Sequence, residues 1–308
     1  MKVKIGGANM LNNVLIIPNP GSGKGKAVEY AEKLSKLLEE TYQSQTMVRP
    51  TTEVGDARTW SAKALSDGFD TVICLGGDGT VNETVDGLLQ NEEVPFFGFV
   101  PLGTVNDLGR VLGYDMQPEK AIEQYRKVKT VPLDVGQINE TTHFINVIAI
   151  GALPESVMHT DSQDKNKLGV LAYVRDGVKS YFKKDRYQLE ITDSSGNKRE
   201  LETDLVLVAL TNSVAGVESM IPHASYDDGL IHLLAPKENL AVTTFYTLFE
   251  GGIQPEETDS MFVLSDNRIQ IKDLIGKEIE SNVDGDQGPN LPLDIKVLKH
   301  RLQVIVPE

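Results

Sequence analysis

An apolar run, Asp70 to Leu75, empties directly into Gly76-Gly77-Asp78-Gly79-Thr80-Val81-Asn82-Glu83, and few folds can use such a sequence. The run is too continuous for a strand with one wet face and reads as a strand buried on both sides, as in a parallel sheet. An ordinary strand-to-helix turn needs one or two glycines. Three within four positions predict a backbone approached closely by another group. Glycines here can admit a polyphosphate, and a carboxylate repels bare phosphate, so Asp78 beside them points to a divalent cation between the two.

The same pattern recurs on either side. Val14 to Ile17 reads as a strand before Asn19-Pro20-Gly21-Ser22-Gly23-Lys24-Gly25-Lys26, and Phe96 to Val100 as a strand before Pro101-Leu102-Gly103-Thr104-Val105-Asn106-Asp107. Between them lie a helix over Ala27 to Glu40, with Ala27, Tyr30, Ala31, Leu34, Leu37 and Leu38 on one face, a strand over Thr46 to Thr51 and a helix over Asp56 to Ser66. Val81 to Gln90 is helical in character. This alternation predicts a parallel sheet with three loops at one edge, where open α/β sheets take their ligands. The first loop is neither a Walker A loop nor a dinucleotide fingerprint, because Lys26 is followed by Ala27 and stands where the third glycine of GxGxxG belongs. By itself it is equally well a plain strand-to-helix turn.

Beyond residue 131 the pattern changes to β-rich segments: Val131 to Val135, His143 to Ile150, Tyr187 to Thr192, Leu201 to Thr211, Leu230 to Leu234, Arg268 to Ile271 and Leu302 to Val306. Only Lys167 to Phe182 is strongly helical. Ser194-Ser195-Gly196-Asn197 and Asp227-Asp228-Gly229 punctuate the strands as hairpin connections. The expected fold is therefore α/β plus β-rich. It has an N-terminal parallel-sheet nucleotide-binding domain, 12–130, and a C-terminal, mostly antiparallel β-sandwich-like domain, 131–294, with a final segment of about 295–308 packing back onto the first.

Composition removes several function classes. The 308 residues carry a formal charge of -15, against the clustered cations that nucleic-acid binding demands. The single cysteine, Cys74, excludes a disulfide scaffold and reads as a small buried hydrophobe. No apolar run approaches the ~18 residues of a membrane span, and the expected location is the cytoplasm. One local exception is the stretch Lys165 to Arg186, with seven basic residues against two acids and apolar side chains interleaved. It predicts transient docking to an anionic membrane surface, although a solvated helix face would look similar. His143, His232 and Trp60 sit at positions suited to packing.

The set NPGSGKGKA, GGDGTVNETVDGL and PLGTVNDLGRVLG, in this order and spacing, resembles the diacylglycerol kinase catalytic-domain family, in its bacterial soluble lipid kinase branch, related to sphingosine kinases and more distantly to NAD kinases. Leu210-Thr211-Asn212-Ser213, Ser225-Tyr226-Asp227-Asp228-Gly229-Leu230 and Val283-Asp284-Gly285-Asp286 extend the likeness over residues 12–307. The resemblance implies an ATP- and Mg²⁺-dependent lipid kinase that phosphorylates a lipid hydroxyl, most simply diacylglycerol to phosphatidic acid. It implies nucleotide contacts at Asn19, Ser22, Thr51, Gly76, Gly77, Asp78, Gly79, Thr80, Val81, Asn82, Thr104 and Asn106. It also implies a structural Mg²⁺ site at Ser225, Asp228 and Leu230, where only Asp228 offers a side chain. The expected partner is a lipid substrate at the membrane surface and not nucleic acid; a homodimer stays open. The family's late motif ends in glutamate, the base that takes the acceptor's proton, whereas this chain has Asp286, one methylene shorter. An NAD kinase-like soluble kinase, or a nucleotide-binding regulator without turnover, are the alternatives.

Overall fold

A computed structural model of the chain describes residues 4–5, 8–151, 186–214, 221–237 and 256–308. The chain divides into two compact units, Met1–Leu133 with His300–Glu308, and Asp134–Lys299. The helical stretch expected over Lys167 to Phe182, and the membrane-docking surface built on it, lie outside the described residues.

The first unit alternates strand and helix: β1 (Asn13–Pro18), α1 (Ala27–Tyr42), β2 (Gln45–Val48), α2 (Asp56–Lys63), β3 (Thr71–Gly76), α3 (Asp78–Leu88), β4 (Phe96–Pro101), α4 (Asp107–Val111) and α5 (Pro118–Gln124). The four strands are parallel in the order β2-β1-β3-β4. Every residue of β3 is buried, which is why its sequence does not alternate. Helix α1 buries the stripe Ala27, Tyr30, Ala31, Leu34, Leu37 and Leu38 against the sheet side. Asp70 sets the register at the start, its Oδ2 accepting the Asn12 and Asn13 N–H groups at 3.1 and 3.0 Å. Strand β2 ends at Val48, although the Arg49 and Thr51 N–H groups on either side of Pro50 still bond the Ile16 and Pro18 carbonyls of β1 at 2.8 and 3.0 Å. Three ties bring the chain's last residues into this unit. Val304 pairs in parallel with Phe97, Tyr114 donates to the Ile305 carbonyl, and the Arg301 guanidinium grips the Glu92 and Asn91 carbonyls.

The second unit is antiparallel. It contains β5 (Val128–Ile138, entering from the first unit), β6 (Thr142–Phe144), β7 (Val147–Gly151), β8 (Tyr187–Thr192), β9 (Lys198–Thr203), β10 (Leu205–Ala209), β11 (Ile231–Pro236), β12 (Met261–Asp266), β13 (Arg268–Asp273), β14 (Glu280–Val283), β15 (Asp286–Asn290) and β16 (Leu293–Pro307), which runs on into the first unit. One layer has the order β9-β8-β13-β16 and the other β12-β11-β10-β7-β14-β15. Leu189, Ile191, Ile269, Ile271 and Ile295 of one layer share a core with Ile148, Val206, Val208 and Leu233 of the other, so the pair is a sandwich. Ala149, Leu205, Leu207 and Leu234 bury the outer face of the six-stranded layer. Strand β10 is therefore covered on both sides and reads as an unbroken apolar run.

Three expectations change. Leu201 to Thr211 is two strands in different layers, parted at Asp204, where the Thr203 hydroxyl bonds both the carbonyl and the N–H of Leu205. His143 to Ile150 is interrupted at Ile145-Asn146. The Asp227-Asp228-Gly229 turn is not a tight hairpin turn but the last part of the long connection, 210–230, between the antiparallel partners β10 and β11. The Ser194–Asn197 turn does join β8 to β9.

Helix α3 crosses α2 at Gly87, where a Cβ would collide with the Ser61 hydroxyl and the Arg58 carbonyl and come within 2.8 Å of the Arg58 Cα. Gly87→Ala improves helix propensity by roughly 1 kcal/mol, yet overpacking against backbone costs about 1–3 kcal/mol. A urea titration should show net destabilisation; an unchanged or higher midpoint would contradict this packing.

Candidate active site

In a parallel sheet the loops leaving the strand C-termini share one edge. Register places Pro18 beside Leu75 and Gly76 beside Pro101, so the loops after β1, β3 and β4 start level with one another. Side chains then staple them. Asn19 donates its amide to Thr80 Oγ1 at 3.1 Å, accepts the Gly21 N–H at 3.0 Å, and sends its own N–H to the Leu75 carbonyl at 2.9 Å. Asp78 accepts the Asn106 N–H on Oδ2 at 2.9 Å and the Asp107 N–H on Oδ1 at 3.1 Å. Burial raises the Asp78 carboxyl above its ordinary value despite those donors. Asn106, in a left-handed conformation at φ 53°, folds the third loop on itself by bonding the Gly103 N–H and carbonyl at 2.9 and 3.0 Å.

Most of the glycine excess in the second loop is used by the protein itself. A Cβ on Gly76 would run into Thr80, and a Cβ on Gly77 would lie 3.0 Å from the Gly103 Cα. Gly79 differs. It is exposed and within the helix at an ordinary φ, and a Cβ there would meet nothing within 4 Å. Nothing among the described residues requires a glycine at this point. The N-terminus of α3, eleven residues long, starts there and offers the positive end of its dipole and unpaired N–H groups to an anion. Val81 and Asn82 follow in its first turns, and the Val81 N–H closes on the Gly77 carbonyl at 3.1 Å. Ser22 lies in the first loop, its N–H on the Asn19 carbonyl at 2.9 Å, and Thr104 is exposed in the third. Thr51 reaches the same edge through its N–H on the Pro18 carbonyl at 3.0 Å.

The second unit gathers a different set. Ala209 pairs with both Val147 and His232, and Val283 pairs with Ile148, so one edge of the six-stranded layer carries the start of β7, the end of β10, the start of β11 and the end of β14. There Asp228 sits in a tight turn. Its Oδ2 accepts the Ser225 N–H at 2.9 Å and lies 3.1 Å from His232 Nε2, while Oδ1 accepts the Leu230 N–H at 2.8 Å. His232 is 1% exposed and its Nδ1 is 2.9 Å from the Ser265 hydroxyl. A carboxylate can only accept, so Nε2 carries a proton. The buried Asp134 takes the intervening Gly229 N–H at 2.6 Å. The candidate ligands at this turn, the Asp228 carboxylate and the Ser225 and Leu230 carbonyls, are all oxygens, the set a hard cation prefers. Among the described residues no three acidic, His or Cys side chains cluster closely enough to hold an ion alone, so magnesium here would need the Ser225 and Leu230 carbonyls as well as Asp228.

At the end of β14 the chain reverses through Asp284-Gly285, with φ 50° and 98°, as a two-residue hairpin of Asp-Gly favours. The Asp284 carboxylate accepts three N–H groups, from Ile145 at 2.8 Å on Oδ2 and from Asn146 and Val147 at 3.0 and 2.7 Å on Oδ1. Asp286, two residues on, is exposed.

Comparison with known proteins agrees with both halves. The diacylglycerol kinase catalytic domain model matches residues 13–138 and the YegS C-terminal NAD kinase beta sandwich-like domain model matches residues 155–306. The chain is 32% identical over 296 residues to a diacylglycerol kinase of Bacillus subtilis, covering 95% of this chain and 96% of that protein. A diacylglycerol kinase of Staphylococcus aureus is 33% identical over 301 residues, 97% and 93% of the two chains. The chain belongs to the diacylglycerol kinase family. A crystal structure of a diacylglycerol kinase from Bacillus anthracis superposes with a TM-score of 0.76 at 25% identity, covering 96% of this chain and 97% of that one. An Archaeoglobus fulgidus NAD kinase in complex with ATP shares the fold, with a TM-score of 0.53 at 14% identity, over 96% and 93% of the chains. No helix among the described residues is long and apolar enough to cross a membrane.

The structure thus collects Asn19, Ser22, Thr51, Gly76 to Asn82, Thr104 and Asn106 on one edge of the first unit, and Ser225, Asp228, Leu230 and Asp286 on one edge of the second. Sequence reading assigned no role to Asp284, Asn146 or His232. Asp284 showed in the sequence only as part of the Val283-Asp284-Gly285-Asp286 motif and as half of an Asp-Gly turn former. Asn146 is 4% exposed, with its Oδ1 buried and unpartnered and its carbonyl on the Leu210 N–H at 3.0 Å.

Burial works to raise the Asp228 carboxyl, but the bonds from His232, Ser225 and Leu230 outweigh it and hold the group below its ordinary 3.8. A lowered folded value stabilises the protein above the unfolded value, and that contribution is lost as pH falls through the folded one. Thermal melts from pH 5.5 down to 3 should show a weaker acid dependence in Asp228→Asn than in wild type; identical slopes would mean the carboxylate is not held as described.

Proposed function

We propose that this family member is an ATP- and Mg²⁺-dependent diacylglycerol kinase that transfers the γ-phosphoryl group of ATP to the lipid's free hydroxyl, yielding phosphatidic acid. The observation that carries the reading is the open space at Gly79, at the mouth of a helix N-terminus between three stapled loops. Phosphoryl transfer asks for positioning and charge stabilisation rather than covalent chemistry from the protein. The rigid loop amides and the α3 N-terminus would hold the phosphates, with Asn19, Ser22, Thr51 and Thr104 around them. Each Asp78 oxygen already accepts one N–H, which leaves lone pairs for water molecules of a hydrated magnesium. Bound magnesium would neutralise charge on the phosphate oxygens. Asp286 would take the proton of the acceptor hydroxyl as the new O–P bond forms and the bond from the γ-phosphorus to the bridging oxygen breaks, releasing ADP. A carboxylate one methylene short can still serve, provided the hairpin that carries it is fixed.

The experiment is transfer from γ-labelled ATP to diacylglycerol in mixed micelles, to a total lipid extract and to NAD, using wild type, Asp286→Asn and Gly79→Ala. Labelled phosphatidic acid from wild type and its loss in Asp286→Asn is the expected result. Gly79→Ala should melt at the same or a higher temperature, since Ala favours a helix by roughly 1 kcal/mol over Gly, while its KM for ATP rises at least tenfold. Label on NAD alone would establish a soluble kinase instead, and ATP binding with no labelled product would leave a regulator.

A further inference from the structure

The late motif holds two carboxylates, and only one of them is available to a substrate. Asp284 is committed: its two oxygens accept three successive N–H groups of Ile145, Asn146 and Val147, and its own N–H returns to the Val147 carbonyl at 2.9 Å. The next link also points inward, since the Gly285 N–H bonds Asn282 Oδ1 at 3.0 Å. Asp286, by contrast, is exposed.

We propose that Asp284 is a positioning residue for phosphoryl transfer: it clamps the β14–β15 hairpin to the loop before β7 and so fixes where Asp286 meets the acceptor hydroxyl. This rests on reading Asp286 as the base. A two-residue hairpin at one end of a layer has few contacts of its own to hold its tip, and catalysis by a misplaced group falls by ~100-fold for an error of about an ångström. Three charge-assisted bonds from consecutive amides are a stiff tether. Because the base has the shorter of the two acidic side chains, reach cannot make up for a loose hairpin.

The atoms grade the test. In Asp284→Asn the amide oxygen can still accept the Asn146 and Val147 N–H groups, but its NH₂ faces the Ile145 N–H, donor against donor; Asp284→Ala loses all three bonds. With diacylglycerol micelles and ATP-Mg²⁺ as substrates, Asp284→Asn should keep KM for ATP within about twofold and lose about tenfold in kcat, and Asp284→Ala about a hundredfold. Added formate should restore activity to Asp286→Ala, which lacks a proton acceptor, and none to Asp284→Ala, which lacks a position. If Asp284→Asn keeps wild-type kcat while Asp286→Ala is inactive, the clamp is not needed and the proposal fails alone. If formate rescues Asp284→Ala, Asp284 is itself the base and the proposal is wrong. If Asp286→Ala keeps full kcat, the base assignment falls and the proposal with it. Should Asp284→Ala not fold, the Asn variant still decides between the first outcomes.

Discussion

The carboxylate of Asp78 holds the edge of the first unit in shape. Its two oxygens take the N–H groups of Asn106 and Asp107, which pins the third loop to the start of α3 and lets the Gly77 and Gly103 backbones cross. A hydrogen bond to a charged group is worth about 1.5–3 kcal/mol. Two of them oppose, without cancelling, a burial that favours the neutral acid. The glycines are legible only after this tie is seen: Gly77 is small because Gly103 is there, and Gly103 because Gly77 is there. What remains once those contacts are accounted for is Gly79 and a helix N-terminus, both facing open space.

The second unit repeats the device. Asp284 binds three amides, Asp228 two amides and a histidine, and Asp134 a further amide of the same turn as Asp228. In a chain with a net charge of -15, several acids therefore bind backbone N–H groups. The pairs with described geometry lie largely on exposed helices and strands, as with Lys33–Glu29 and Arg126–Glu123, where each adds little. Backbone held by partly or fully buried carboxylates presents donors in fixed directions, and fixed donors are what stabilisation of a developing charge requires.

The parallel half was legible because burial on both faces and the 3.6-residue stripe of α1 leave strong signals: β1, β3, β4 and α1 fall where apolar runs and periodicity put them. The antiparallel half was less so. Glu280 to Val283 and Asp286 to Asn290 carry too few apolar residues to read as strands, and Leu201 to Thr211 hides a change of layer because Thr203 turns the chain without glycine or proline. The three loops were visible through their glycines, yet the reason for two of those glycines was not, since each depends on a residue about 26 positions away in sequence. Asp284 passed as part of a motif. Its function as a clamp depends on Ile145 to Val147, some 140 residues earlier, and no local pattern announces such a contact.

Residue-resolved amide hydrogen exchange, with and without ATP-Mg²⁺, tests the central claim most directly. The Asn106 and Asp107 amides, bonded to Asp78, should exchange slowly in the free protein, and the Gly79 amide should exchange fast until nucleotide slows it. Fast exchange at Asn106 and Asp107, or nucleotide protection that avoids Gly79 and the loops after β1 and β4, would contradict the account.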